Sequence, residues 1–132
     1  MIKKYSVFIL AILLCVADST KSQQKQTDTP PKREFRGVWL ATVENIDWPR
    51  TQTESSDQQQ KELAGILDAH QAAGINAVML QIRPAADAFY AKSREPWSKY
   101  LTGKQGKAPD PLYDPLEFAI KEAHQRGMEL HA

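Results

Sequence analysis

At 132 residues, with 42% hydrophobic and 25% charged side chains, the chain has the composition of one ordinary globular domain. A formal net charge of +1 gives no basic field for nucleic acid and no attraction to an anionic membrane surface. A single cysteine excludes an internal disulfide framework, so packing must hold the fold together.

Lys3 and Lys4 precede an apolar run, residues 5–17, broken only by Ser6. That run is shorter than the roughly 20 residues needed to span a bilayer and reads as a secretory signal, residues 1–22. Ala17, Asp18 and Ser19 place small residues where a signal peptidase reads. Cys15 offers a second reading, a lipid anchor, but Leu14 stands where such signals carry a small residue, and cleavage downstream is the expectation. The protein is therefore expected to be exported, whether periplasmic, extracellular or outer-membrane-anchored, with the signal or a lipid as its sole membrane attachment. Residues 21–33, KSQQKQTDTPPKR, contain no apolar side chain and cannot offset the entropy of ordering. Residues 23–33 read as a flexible linker, and residues 34–132 as the folded part.

Residues 35–43, FRGVWLATV, form the first strand candidate, with Gly37 allowing close approach. Glu44, Asn45, Asp47 and Trp48 follow on a short loop, a concentration of polar groups and an indole that suits ligand contact beyond a strand end. Ser55 to Asp57 supply N-cap residues for a helix whose apolar stripe is Leu63, Ile66, Leu67, His70 and Ala73, ended by Gly74.

Residues 76–81, NAVMLQ, follow as a second strand of the kind covered on both faces in parallel sheets. Gln81, Arg83, Asp87 and Tyr90 come directly after it, at the carboxyl end where parallel sheets and barrels bind ligands. The aromatic-rich stretch 84–113 is long for a compact domain and is expected to form a partly ordered flap, with residues 102–110 as its mobile tip. Asp114 and Pro115 then open a second helix with Leu116, Ile120 and Ala123 as its buried stripe, and Gly127 stops it before a third strand. The order β-α-β-α-β predicts an α/β fold. No phosphate-binding glycine loop, metal-ligand spacing or nucleophile–base motif is present, and His70, His124 and His131 are too scattered for a metal cluster. No cofactor is expected.

The blocks RGVWLATVENIDWP, QIRPAADAFY, PWSKYLTGKQG and YDPLEFAIKEAHQRGMELHA, in that order, resemble the opening of the glycosyl-hydrolase-like family 10 domain. The resemblance implies the N-terminal part of a (β/α)8 TIM-type barrel in a secreted bacterial glycoside hydrolase acting on glycan strands, including those of peptidoglycan. The alternatives are a non-catalytic carbohydrate-binding or cell-envelope module, or an inactive fragment, because a complete barrel takes about 250 residues. Val38, Leu40, Val78 and Leu80 are expected on or near the inner surface that further strands would cover. Catalytic carboxylates lie on later strands in related barrel glycosidases, so no catalytic residue is expected within this chain. The resemblance implies substrate-binding roles for Glu44, Asp47, Trp48, Arg83, Asp87, Tyr90 and His131, with Trp48 and Tyr90 as stacking platforms and Arg83 and Asp87 as hydrogen-bonding groups.

Overall fold

The computed structural model describes residues 34–132; the expected signal (1–22) and linker (23–33) lie outside the described residues. Strand β1 (Gly37–Leu40), helix α1 (Ser56–Ala72), strand β2 (Ala77–Leu80), a single turn α2 (Lys99–Thr102), helix α3 (Pro115–Gln125) and strand β3 (Glu129–His131) follow in order. The strands form one parallel sheet in the order β1-β2-β3. The predicted β-α-β-α-β alternation is present, with α2 as an addition.

Local chemistry accounts for the helix ends. The Ser55 hydroxyl accepts from the Gln58 amide while the Gln58 side chain accepts from the Ser55 amide, so two free donors at the start of α1 are satisfied reciprocally. Asp114 caps α3 by accepting from the amides of Leu116 and Glu117 at 3.0 and 3.1 Å, with Pro115 at the first helical position. Gly74 and Gly127 follow the two helices at φ of +81° and +68°, where a Cβ would be strained.

One face of the sheet packs on the helices. Leu40, Val78 and Leu80 are buried against Leu63 and Leu67 of α1, Ala119 and Ala123 of α3, and Met128, with Val38 and Leu130 packed beside them. The expected inner-surface set is therefore on the opposite face: Val38, Leu40, Val78 and Leu80 point toward the helices. Parallel register puts Trp39, Met79 and His131 in one row on the other face, and side chains alternate between faces along each strand. Trp39 is 57% exposed there. Phe35 covers the start of this face, because a Cβ on Gly37 would lie only 2.7 Å from its ring.

Three expectations change. The first strand stops at Leu40 because side chains capture the next amides: Asp47 takes that of Ala41, and Gln81 takes those of Thr42 and Val43. The stripe of α3 is rotated: Pro115, Ala119 and Ala123 are buried while Ile120 is 38% exposed. Small residues on the inner side let the helix lie close to the sheet, and Phe118 turns edge-on to Tyr113 with ring centroids 6.2 Å apart. Finally, parts of residues 84–113 belong to the core, while residues 103–107 of the expected tip are exposed. Asp87, Ala88, Phe89, Ser98, Tyr100 and Leu101 are buried, and Ala88 and Trp97 form a parallel bridge.

Candidate functional site

A pocket of about 450 Å³ lies on the open face at the carboxyl ends of β2 and β3. Trp39, Met79 and His131 supply the sheet row, and Gln81, Ile82 and Arg83 continue it past the end of β2. The pocket thus joins an exposed indole, a guanidinium and an imidazole, a combination that matches the apolar faces and hydroxyl rims of sugar rings.

Arg83 is oriented. Its Nη2 donates to Glu95 Oε1, and the two form an ion pair with the Arg83 side chain 51% exposed and that of Glu95 32% exposed. Glu95 Oε2 accepts from the Ser93 hydroxyl at 2.6 Å, and the Ser93 oxygen accepts from the Glu95 amide at 3.0 Å. The Ser93 hydroxyl, then the backbone amide of Glu95, then the charge of Arg83 hold the Glu95 carboxyl below its ordinary range, so it is ionised at neutral pH. His131 Nε2 sits 3.2 Å from Glu129 Oε2 on the same strand, and its ring meets Phe35 edge-on with centroids 5.9 Å apart.

The pocket brings together two of the seven expected site residues, Arg83 and His131. Trp48 is elsewhere: it is 0% exposed, tilted against Phe89 at 5.9 Å, with its indole N–H donated to the Gln59 carbonyl. A fully buried indole has no face to offer a sugar, and Trp48 is a core residue instead of a platform. Asp87, 1% exposed, accepts from the Ala85 amide at 3.1 Å and so serves the turn. Asp47 accepts from the Ala41 amide at 2.7 Å and closes the loop after β1. Tyr90 is half-buried outside the pocket lining.

Glu44 is exposed, at φ 53°, followed by Asn45 at φ 57°. A non-glycine residue there costs about 1–2 kcal/mol. Surrounding bonds hold it: Gln81 Oε1 accepts from the amides of Thr42 and Val43 at 2.9 and 3.0 Å, and Asn45 Nδ2 donates to the carbonyls of Pro49 and Tyr100.

Sequence reasoning did not single out Trp39 or Glu95. Trp39 was detectable from two-residue alternation in Gly37–Leu40, which sets it opposite Val38 and Leu40. Nothing local marked Glu95, which reaches Arg83 across twelve positions of chain. Among the described residues no group of three or more His, Cys, Asp or Glu side chains is arranged to hold a metal ion.

The family model described as glycosyl hydrolase-like 10 matches residues 34–132, the whole described part. The chain belongs to that family. It is 54% identical over 100 residues to glycosyl hydrolase YngK of Bacillus subtilis, covering 76% of this chain and 19% of that protein. It is 39% identical over 140 residues to glycosyl hydrolase DigH of Escherichia coli K12, covering 93% of this chain and 31% of that protein. The chain therefore spans less than a third of the length of these relatives.

Proposed function

We propose that this domain supplies the opening β-α-β-α-β part of a (β/α)8 barrel in an exported glycoside hydrolase acting on glycan strands, peptidoglycan among them. One observation carries the reading: the pocket beyond the carboxyl ends of parallel strands sets the exposed Trp39 indole beside Arg83 and His131. That is where barrels of this kind place their ligands, and one sheet face is left open where a barrel interior would be. Export follows from the pattern of residues 1–22, with attachment through the signal or through a lipid on Cys15.

Glycoside hydrolysis requires two carboxyl groups flanking the bond, about 5–5.5 Å apart for retention or about 6.5–9.5 Å for inversion. The lining of this pocket contains no carboxylate. In this reading Trp39 stacks on a sugar ring, the Arg83 N–H groups left over from Glu95 donate to its oxygens, and the acid and its partner come from outside this pocket. The second reading is a carbohydrate-binding module that holds glycan without cutting it, because an exposed indole beside hydrogen-bond donors binds a sugar whether or not carboxylates join them.

The test incubates the complete protein carrying this domain with peptidoglycan glycan strands and with chitin oligosaccharides, following new reducing ends and, separately, retention of protein on the insoluble glycan. Hydrolysis lost in Trp39→Ala and Arg83→Ala supports the enzyme. Retention without new reducing ends supports the module, and neither activity on either polymer rejects both.

A further inference from the structure

We propose that Glu95 is a positioning residue that holds the Arg83 guanidinium at the pocket mouth, ready for a sugar oxygen. This rests on the glycan reading above for the identity of the ligand, but not for the ordering itself. An arginine on a strand end commands many rotamers, and fixing it costs about 2 kcal/mol of side-chain entropy. Here that ordering takes place before any ligand arrives. Arg83 Nη2 is committed to Glu95 Oε1, which leaves its other N–H groups free to donate.

Glu95 is itself held in place. Its second oxygen takes the Ser93 hydroxyl at 2.6 Å, and its amide donates back to the same Ser93 oxygen at 3.0 Å. The segment behind it is tied to the core: the Ala88 amide donates to the Pro96 carbonyl at 2.9 Å, and the Ser98 amide to the Ala88 carbonyl at 3.0 Å. Ala88 and Ser98 are buried. A rigid chain thus runs from the buried loop through Glu95 to Arg83, which lines the pocket, whereas Glu95 does not. Exposed ion pairs of this kind add little to stability, about 0–1 kcal/mol, so a purely structural role would leave this arrangement little to do.

The experiment has two arms on the complete protein. In the first, ¹⁵N relaxation of the Arg83 Nε–H group is compared between wild type, Glu95→Ala and Glu95→Gln. Ordering should fall in Glu95→Ala and be partly restored in Glu95→Gln, which keeps an accepting oxygen. Equal ordering in wild type and Glu95→Ala overturns the proposal. In the second arm, KM for soluble glycan oligosaccharide, or Kd if there is no turnover, should rise about three- to tenfold in Glu95→Ala. Arg83→Ala should show a similar rise, and the double variant no more than either alone, with melting temperatures unchanged. An unchanged KM in Glu95→Ala beside a raised KM in Arg83→Ala overturns the proposal, as does a loss of melting temperature that accounts for the loss of binding. A wild-type protein with no affinity for glycan removes the glycan reading, and the ordering of Arg83 by Glu95 is then decided by the relaxation arm alone.

Discussion

The Tyr113 hydroxyl donates to Gln59 Oε1 at 2.8 Å, joining the loop before α3 to the first turn of α1. Gln59 is 1% exposed and spends its remaining groups similarly: Nε2 donates to the carbonyls of Leu101 at 2.8 Å and Glu54 at 3.2 Å, and its own carbonyl accepts from the Trp48 indole at 2.9 Å. One glutamine therefore satisfies polar groups of four residues, two from the loop that follows β1 and two from the stretch that follows β2. Burial raises the Tyr113 pKa first, with the negative charges of Asp114 and Glu54 adding to the shift, so the hydroxyl remains a donor at any physiological pH.

Gln59→Leu keeps the side-chain bulk but leaves the Tyr113 hydroxyl and the Leu101 carbonyl without partners. Each buried unsatisfied group costs about 1–3 kcal/mol, so a loss of about 2–4 kcal/mol is expected in the complete protein. Tyr113→Phe, which removes one donor, should cost about 1 kcal/mol. Urea denaturation of both variants and of the pair checks this. Strictly additive losses would show that the two residues act separately and that the junction is not a unit.

The two tryptophans near β1 should respond in opposite ways. Trp48→Ala empties a fully buried site and should cost about 3–5 kcal/mol. Trp39, 57% exposed, should cost under about 1 kcal/mol as Trp39→Ala while weakening glycan retention about tenfold. Melting curves read beside glycan pull-down separate the cases. Unchanged retention in Trp39→Ala would remove the stacking platform from the proposed site.

That contrast shows what the chain discloses before folding. Features set within a few residues were legible: the Ser55 and Asp114 caps, the breaks at Gly74 and Gly127, and the alternation of strand and helix. Long-range register was not. Trp39 and Trp48 look alike as aromatics around a strand end, and only pairing with β2 and burial under residues 84–113 sends one outward and the other into the core. Asp47 and Asp87 had the profile of ligand carboxylates, yet each is used on a backbone amide of its own loop. A short turn leaves amides without ladder partners, and the nearest carboxylate takes them. Arg83 was expected beyond the carboxyl end of β2 and His131 from the family resemblance alone; both line the pocket at the strand ends.

Glu54 should make stability fall as pH rises. Burial, then the charge of Glu62 and a hydrogen bond with it, raise the Glu54 pKa above its ordinary 4.5, while Arg50 pulls the other way. Arg50 Nε lies 3.0 Å from Glu62 Oε1, an ion-pair distance without hydrogen-bond alignment, and both Glu54 Oε2 and Glu62 Oε1 are buried without a hydrogen-bond donor. A proton on Glu54 supplies one. Because the folded pKa is the higher, the folded state binds more protons between the two values, and stability declines as pH climbs from about 4.5 through the folded pKa. Glu54→Gln carries its own donor, so it should be more stable than wild type at neutral pH and lose the slope in that window. Denaturant titrations at several pH values test it, and a slope that survives in the variant would assign the effect to another group.

Residues 34–132 produced alone should self-associate. Their sheet has β1 and β3 as edges, and among the described residues neither edge is paired on its outer side. The face between those edges is also open, with Trp39 57% and Phe35 61% exposed and Met79 half-buried beside them. Unpaired edges next to apolar side chains recruit further strands, and burying that face is the available way to remove it from water. Sedimentation velocity over a hundredfold concentration range should show species larger than the monomer at the upper end. Trp39→Lys combined with Met79→Lys should shift the distribution back toward monomer, since charges on the open face disfavour stacking while leaving the helix-packed face intact. A monodisperse monomer with a cooperative melt would show instead that the helix-packed core sustains these residues unaided, and would favour the carbohydrate-binding module over an incomplete barrel.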